Sequence, residues 1–209
     1  MAVTSSSPDR SRLLVAAARE LFGSRSYESV TTTEIAREAG VAYGLIAHHF
    51  GNKRGLYLAV MNEIRDELAH EQDSPLAGDS LDELLHNALR RHIEYIEAHQ
   101  TGFRALLRGD LGADPDMQKM FDELRWGGAS RILARIGASG DPSAELRAAM
   151  MAWVAMFDEL MLDRIENRSI SVEVVTVLAA NALKTALRTV IEIDPSTRFE
   201  PQVEEFLRG

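Results

Sequence analysis

The clearest indication of the fold is the sequence VTTTEIAREAGVAYGLIAHHFGNK, Val30 to Lys53. Thr31 is followed three residues later by Glu34, which is the spacing of a capping box. In that motif the two side chains satisfy backbone N–H groups that the first helical turn leaves unpaired. A helix is therefore predicted to start near Thr32. It is predicted to end at Gly40, because glycine adopts a left-handed backbone without steric penalty.

A second short helix is predicted from about Tyr43 to Phe50. Gly51-Asn52 ends it, and Lys53 begins a further helix. Leu45, Ile46 and Phe50 are expected to point inward, whereas Tyr43, Gly44, Ala47 and His48 are expected on the open side. Two short helices joined by a tight turn are the pattern of a helix-turn-helix.

The motifs I-A-x-x-A-G-V and G-x-x-x-H-H-F-x-x-K in this stretch resemble the DNA-binding domain of the TetR family of bacterial transcriptional regulators. The resemblance covers roughly Arg10 to Tyr57. Two positions depart from the family pattern. Ala42 stands where the family commonly has a Ser or Thr that caps the recognition helix, and Ala47 stands where it commonly has a DNA-contacting Tyr. The fold is unaffected, but the family's DNA contacts do not transfer as a whole.

The predicted fold class is all-α. A three-helix helix-turn-helix DNA-binding domain is expected at residues 1–57, and a helical effector-binding and dimerisation domain at residues 58–209. Downstream helices are predicted at about 53–72, 80–98, 103–107, 115–136, 141–167 and 171–193. Ser80 with Glu83 predicts a second capping box, and Asp114 is predicted to cap the helix that starts at Pro115. Trp126-Gly127-Gly128 is expected to mark a kink or a break, and the tail from Pro195 to Gly209 has no clear period.

Charge is distributed unevenly along the chain. The net charge is −9, but Met1–Val60 carries +2 and the remainder −11. Positive potential on the motif-bearing end favours phosphate contacts there, whereas the acidic remainder opposes nonspecific wrapping of DNA.

Composition excludes several classes of site. There is no Cys, so disulfides, thiolate metal sites and Cys nucleophiles are excluded. The adjacent His48 and His49 point about 100° apart on a helix, which does not suit a shared metal ion, and no metal or cofactor site is predicted.

Met1–Pro8 lacks the pattern of a signal peptide, and no stretch is long and apolar enough to span a bilayer. We therefore expect a cytoplasmic protein without a membrane partner.

The resemblance implies which residues meet double-stranded operator DNA. Residues expected to face or approach the major groove are Tyr43, Gly44, Leu45 and His48, with Ala42 at the capping position. Residues expected to contact phosphates are Thr32, Thr33, Arg37, His49 and Lys53.

The sequence of the last two long helices predicts how the protein assembles. AAMMAWVAMF, from Ala148 to Phe157, is apolar on every side, and Val174–Leu183 is interrupted only by Thr176 and Asn181. A helix that is apolar all round must be buried all round. The covering surface is predicted to be a second copy of the chain in a homodimer, approached closely through Ala179, Ala180, Ala182 and Ala186. The alternative is that both helices fill the core of a single chain.

A set of aromatic and polar residues in the middle helices is predicted to enclose a small hydrophobic effector, as the resemblance implies. Its members are His92, Tyr95, Phe103, Phe121, Trp126, Trp153, Phe157 and Asp158, with Arg104 and Met117, Met120 and Met156 nearby. The alternative is that they are ordinary core residues. Asp158 is predicted either to bind a cation or to be a buried ion-pair partner.

The predicted function is a DNA-binding transcriptional regulator, a repressor that a small effector releases from a palindromic operator. A ligand-responsive activator is the alternative. A helical-bundle enzyme is a weaker one, because the sequence has no nucleophile elbow, phosphate-binding Gly loop or dinucleotide fingerprint. A nonspecific architectural DNA-binding protein would be basic throughout, which this chain is not.

Overall fold

The structure is a computed structural model that describes residues 7–73, 78–108, 115–138 and 141–208. These described residues form ten α-helices and no strand, as the all-α prediction requires. The helices are α1 Ser7–Ser24, α2 Thr32–Glu38, α3 Gly44–Phe50, α4 Lys53–Asp73, α5 Leu81–Ala98, α6 Gln100–Arg108, α7 Pro115–Arg135, α8 Ala144–Asn167, α9 Val172–Ile193 and α10 Pro201–Arg208.

The chain divides into two compact units. The head unit comprises Met1–Leu68 and His99–Phe121, and the body unit comprises Ala69–Ala98 and Asp122–Gly209. The division differs from the predicted boundary after residue 57, because α4 continues the core of the head through Val60, Met61 and Ile64.

The core of the head is built from α1 to α4. Its largest fully buried side chains include Leu14, Ile35, Leu56 and Met61. Helix α6 packs on α1. Gly23 permits this close approach, because a Cβ there would lie 2.1 Å from Cγ2 of Thr101.

The body is organised around α5, α8 and α9, which pack on one another. The indole Nε1 of Trp153 on α8 donates a hydrogen bond of 2.8 Å to the carbonyl oxygen of Ala179 on α9. Ion pairs add three more links, Lys184 with Asp82, Arg164 with Glu97 and Arg90 with Glu173. Helix α5 is thereby linked to both α8 and α9.

Two sequence predictions about the body are wrong. Helix α7 runs without a break through Trp126-Gly127-Gly128, so the break, one of the two alternatives predicted there, is wrong; a glycine costs about 1 kcal/mol, which does not by itself interrupt a helix of 21 residues. The tail was predicted to lack a period, but it forms α10, which Pro201 begins and which buries Val203 and Leu207. Eight residues are too few for a periodic signal to stand out.

Other predictions about helix ends are confirmed in part. Ser171 caps α9 as predicted, but Ser143, rather than Asp141-Pro142, caps α8. The hydroxyl of Ser80 accepts from the N–H of Glu83, whereas the Glu83 carboxylate accepts from the N–H of Asp79 instead of closing the box. The predicted cap Asp114, the Met117 side chain and residues 74–77 of the predicted break after α4 lie outside the described residues.

Helix α9 is the one described helix that is long and apolar enough, by length and composition, to cross a membrane. Core helices of water-soluble proteins pass the same test, so the finding is weak by itself. The finding does show that α9 is apolar and is only partly covered by the rest of its own chain.

Candidate nucleic-acid interface and effector region

Helix α2 is fixed at its start by the predicted capping box. The Thr31 hydroxyl accepts from the Glu34 N–H at 3.2 Å, and the Glu34 carboxylate accepts from the Thr31 N–H at 2.9 Å. Arg25 pairs with the same carboxylate at 3.0 Å. These hydrogen bonds, led by that from Arg25, lower the pKa of Glu34 to about 2. The start of α2 therefore stays capped over the whole range of ordinary pH.

The turn between α2 and α3 uses Gly40, whose φ of 65° confirms the predicted left-handed residue. Helix α3 begins at Gly44, with Tyr43 as its N-cap, one residue later than predicted. No side chain caps it, as expected with alanine at position 42. The first turn of α3 is thus held by packing and backbone bonds alone.

The residues predicted for the DNA surface fall into two groups by exposure. Thr33, Arg37, Ala42, Tyr43, Gly44 and His48 are exposed, Tyr43 to 59 %. Thr32, Leu45, His49 and Lys53 are half-buried. Leu45 packs partly against the head core, and the Nε2 atom of His49 is buried without a hydrogen-bond partner. Leu45 and His49 therefore serve the fold of α3 as well as any contact that they make to DNA.

Across the turn, the hydroxyls of Thr32 and Tyr43 lie 3.4 Å apart. This separation is longer than an ordinary hydroxyl hydrogen bond, so both groups keep capacity for other partners. Thr32 of α2 and Tyr43 at the start of α3 thus place two hydroxyls side by side on the head.

Lys53 is held over an aromatic cluster. Its Nζ lies 4.1 Å from the ring centroid of Tyr27, and Tyr27 contacts the rings of Phe22 and Tyr57. A cation–π contact orients the ammonium without using its N–H donors. Lys53 is therefore fixed in place and can still donate to an anion.

Gly55, which the sequence analysis missed, fixes the corner between α3 and α4. A Cβ at Gly55 would lie 2.0 Å from the carbonyl oxygen of Phe50. A backbone atom cannot rotate away, so only glycine permits this approach. Its signal in the sequence was a glycine inside a helical pattern, which often has a packing reason.

In the body, three of the predicted effector residues form one aromatic stack. The rings of His92 and Phe157 lie 5.6 Å apart, and those of Phe157 and Trp153 lie 6.0 Å apart. Burial, with the nearby Arg131 and Arg91, lowers the pKa of His92 to about 4. His92 is therefore neutral at neutral pH, and its Nδ1 is buried without a partner.

Asp158 follows directly on this stack and is a buried ion-pair partner, one of the two roles predicted for it. Its Oδ2 accepts from Arg125 Nε at 2.8 Å. Burial raises the pKa of Asp158 to about 6 although Arg125 acts in the opposite direction. Arg125 could not be identified from local sequence, because its partner lies 33 residues away.

The other predicted effector residues are divided between the two units. Phe103 and Phe121 belong to the head unit, as do Arg104 and Met120, and Met120 is part of the head core. Trp126 lies under the Arg147 guanidinium at 4.1 Å and lines an open cleft of 690 Å³ with residues such as Ser130, Asp141 and Asp194. Tyr95 is half-buried in the body. Within the described parts of the chain, no three His, Asp or Glu side chains converge as metal ligands would.

The head contains a capped short helix, a glycine turn and a second short helix whose outer side is exposed. This arrangement defines a helix-turn-helix protein, and comparison with known proteins agrees. Residues 14–60 match the family model described as bacterial regulatory proteins, tetR family. Residues 81–188, just over half of the chain, match the tetracyclin repressor-like C-terminal domain. The chain belongs to the TetR family and is a DNA-binding transcriptional regulator.

Relatives of known name are regulators as well. The activator FasR of Mycolicibacterium smegmatis is 31 % identical over 52 % of this chain and 49 % of its own length. The regulator BetI of Cronobacter sakazakii is 27 % identical over 74 % of this chain and 79 % of its own. A TetR-family regulator of Streptomyces coelicolor has a TM-score of 0.74 at 26 % identity, over 93 % of this chain and 86 % of that one.

Proposed function

We propose that the protein is a homodimeric repressor that binds a palindromic operator through α3 and is released by a small hydrophobic effector. It needs no cofactor and works in the cytoplasm, where the chromosome is. The observation that carries the proposal is the exposed side of α3, held by a capped turn and a rigid corner in a family of DNA-binding regulators.

The DNA contacts follow from the exposures. Tyr43 and His48 offer polar groups to base edges, with Gly44 and Leu45 on the same short helix. Thr32, Thr33, Arg37 and Lys53 supply donors for phosphates, which set register. His49, whose Nε2 is buried, is the less supported member of this predicted set. Ala42 contributes no cap and no donor.

The dimer is supported by the outer side of α9. Val174, Val177 and Leu178 are 43–48 % exposed, although they are large and apolar. Two copies of α9, each with α8, would cover these side chains in a four-helix interface. Ala179 and Ala180 do not serve the close approach predicted for them, because both are fully buried within their own chain. Ala182 and Ala186 are half-buried and keep that role.

The effector region is proposed around the stack of His92, Phe157 and Trp153, together with Asp158 and Tyr95. A flat apolar ligand suits such rings, and the unpartnered Nδ1 of His92 suits a hydrogen bond once the stack opens. Phe103, Phe121 and Trp126 are the less supported members of the predicted set. An effector acts by binding the released conformation more tightly than the DNA-competent one. The population shift that it can cause is limited by this difference in affinity.

The test of operator binding is selection of duplexes from a random library by the full-length protein. An inverted repeat whose binding falls steeply with salt supports the proposal. Equal binding to all duplexes would indicate an architectural protein and overturn it.

The test of the effector region uses the fluorescence of the two tryptophans, Trp126 and Trp153, in a screen of small apolar compounds. A compound that changes the emission should release the operator, and the operator should weaken its binding by the same factor. Trp153→Phe keeps a ring in the core but removes the indole, its hydrogen bond to Ala179 and one fluorescent reporter, so the response is measured as release of the operator. Release by the compound should fall more than the operator affinity. Unaltered response and release in this variant would place the effector elsewhere.

Activation is the second candidate, because FasR, at 31 % identity, is named as an activator. A reporter gene placed behind the selected operator distinguishes the two. Deletion of the regulator raises expression if it represses and lowers expression if it activates.

A further inference from the structure

The open cleft of 690 Å³ beside Trp126 lies within the body unit, and none of His92, Phe157 and Trp153 lines it. Its walls come from α7, from the residues just before α8, from the first turn of α8 and from the residues between α9 and α10. Its volume is that of an ordinary small-molecule site. We call it the polar cleft.

Hydrogen bonds fix the wall between α9 and α10. The Asp194 carboxylate accepts from the Ser196 N–H at 3.1 Å, from the Ser196 hydroxyl at 2.5 Å and from the Thr197 hydroxyl at 2.6 Å. These donors, led by Ser196, hold the pKa of Asp194 below its usual range. The Thr197 hydroxyl also lies 3.3 Å from that of Ser143, which caps α8. This wall therefore has a defined shape before any ligand binds.

The α7 side of the cleft and the first turn of α8 supply apolar surface. Leu133 and Leu146 line the cleft from these two helices, and the Trp126 ring lies beside them. Arg147, whose guanidinium lies 4.1 Å from the centroid of the Trp126 ring, is not a lining residue. Arg147 therefore holds the indole from outside the cleft and leaves other ring surface within it.

The polar side chains of the cleft carry charges of both signs. Asp141 and Asp194 contribute carboxylates, Arg198 contributes a guanidinium, and Ser130 contributes a hydroxyl. An organic cation would meet Arg198, and an organic anion would meet the two carboxylates. A purely apolar ligand would remove water from all of these groups without replacing its hydrogen bonds.

A neutral ligand with several hydroxyl groups avoids each of these costs. A hydroxyl can donate to a carboxylate and can accept from a guanidinium, so one kind of group satisfies both kinds of charged side chain. The C–H face of a sugar ring is apolar and can pack on an indole or on leucine. The polar cleft offers both kinds of surface within one site.

We propose that the polar cleft binds a neutral polyhydroxylated ring compound, a mono- or disaccharide. The C–H face of its ring packs on Trp126 and Leu133, and its hydroxyls bond to Asp141, Ser130 and Arg198. This is a second ligand site of the body, separate from the proposed effector region and independent of operator binding.

The test is titration calorimetry of the full-length protein with glucose, galactose, ribose, maltose, sucrose and trehalose, each at low millimolar concentration. Saturable heat is the readout, because any sugar at high concentration stabilises proteins through exclusion from their surface. At least one of these sugars should saturate the site. Glucosamine and glucuronate, which place one charge of either sign on a glucose ring, should bind more weakly than glucose.

Ala134→Phe fills the cleft, and Ala98→Phe is the matched control. Both alanines are exposed and lie on helices of the body, but only Ala134 lines the cleft. Both variants should melt close to the wild-type temperature. Only Ala134→Phe should weaken sugar binding, by about tenfold or more.

The absence of saturable heat with all six sugars would overturn the proposal. Equal sugar binding by Ala134→Phe and Ala98→Phe would overturn it as well, since the sugar would then bind elsewhere. Tighter binding of glucosamine or glucuronate than of glucose would show that the cleft selects a charged ligand, which also contradicts the proposal. None of these measurements uses DNA, so each outcome leaves the proposed function to be judged by its own tests.

Discussion

The outer sides of α3 and α9 are both left uncovered within the described chain, yet they are built from opposite kinds of residue. Helix α3 exposes a glycine, an alanine and two polar aromatic side chains, whereas α9 exposes Val174, Val177 and Leu178. A surface of small residues suits a partner whose own groups project into it, as base edges do. A surface of large apolar residues suits a partner that excludes water over a wide area. The composition of each side therefore indicates nucleic acid for α3 and protein for α9.

Leu178→Glu should reduce binding most, because it would bury a charge next to its mirror copy in the proposed dimer. We expect the dimer dissociation constant to rise by about a hundredfold or more, measured by sedimentation velocity. Leu13→Glu is the matched control, since both leucines are 47 % exposed. It should leave the dimer intact. Equal behaviour of the two variants would remove α9 from the interface.

Gly55→Ala should have the next largest effect and should act on the fold of the head. The methyl group would overlap the Phe50 carbonyl, and relief by backbone movement should cost about 2–3 kcal/mol of unfolding free energy. Urea unfolding measures this loss, with Gly127→Ala as the control, since Gly127 is also helical and a Cβ there would meet only Arg131 Nη1, at an ordinary 3.7 Å. Unchanged stability would show that the backbone between α3 and α4 can shift at little cost in free energy.

These two predictions also separate what the sequence could reveal from what it could not. The head followed from local signals, namely Thr31 with Glu34 and the glycine turn at Gly40, which act within a few residues. Gly55 was missed because its reason is a contact to Phe50 across a corner, which no local pattern records.

The body was harder to predict from sequence. The stretch of α8 from Ala148 to Phe157 is apolar on all sides, so its period could not indicate which residues face inward. The stack of His92 with Phe157, and the pairing of Arg125 with Asp158, join helices far apart in sequence. The sequence therefore named candidates for the effector region without identifying which of them meet.

The raised pKa of Asp158 predicts that the stability of the body depends on pH between about pH 4 and 6, whereas the lowered pKa of Glu34 in the head acts at lower pH and with the opposite sign. The folded state holds this proton up to about pH 6, whereas an unfolded Asp releases it near 3.9. The folded chain therefore binds more protons between about pH 4 and 6. Its free energy of unfolding should fall by about 1–3 kcal/mol as the pH rises through that window, and this contribution is constant above it.

Asp158→Asn should remove this part of the slope, whereas Asp122→Asn, at an exposed site of the body, should keep it. Thermal or urea unfolding at several pH values measures both. An unchanged slope in Asp158→Asn would assign the dependence to other groups.

Lys53→Ala should change binding least, because the contact proposed for Lys53 is to a phosphate, which positions the head, rather than to a base, which reads sequence. Binding to specific and random duplexes should weaken alike, and the slope of log affinity against log salt should fall by about 0.9 for each phosphate lost. Fluorescence anisotropy over a salt series measures it. A slope equal to that of the wild type would indicate that Lys53 contacts Tyr27 but no phosphate.

The central claim is that α9 joins two copies of the chain so that two copies of α3 read two half-sites at once. Insertion of five base pairs between the half-sites of the selected operator tests it most directly, because half a helical turn moves one half-site to the opposite side of the duplex. Affinity for the lengthened operator should fall by about a hundredfold, close to the affinity for a single half-site. Undiminished affinity would mean that the two heads bind independently, and α9 would then not hold two copies of α3 at a fixed spacing.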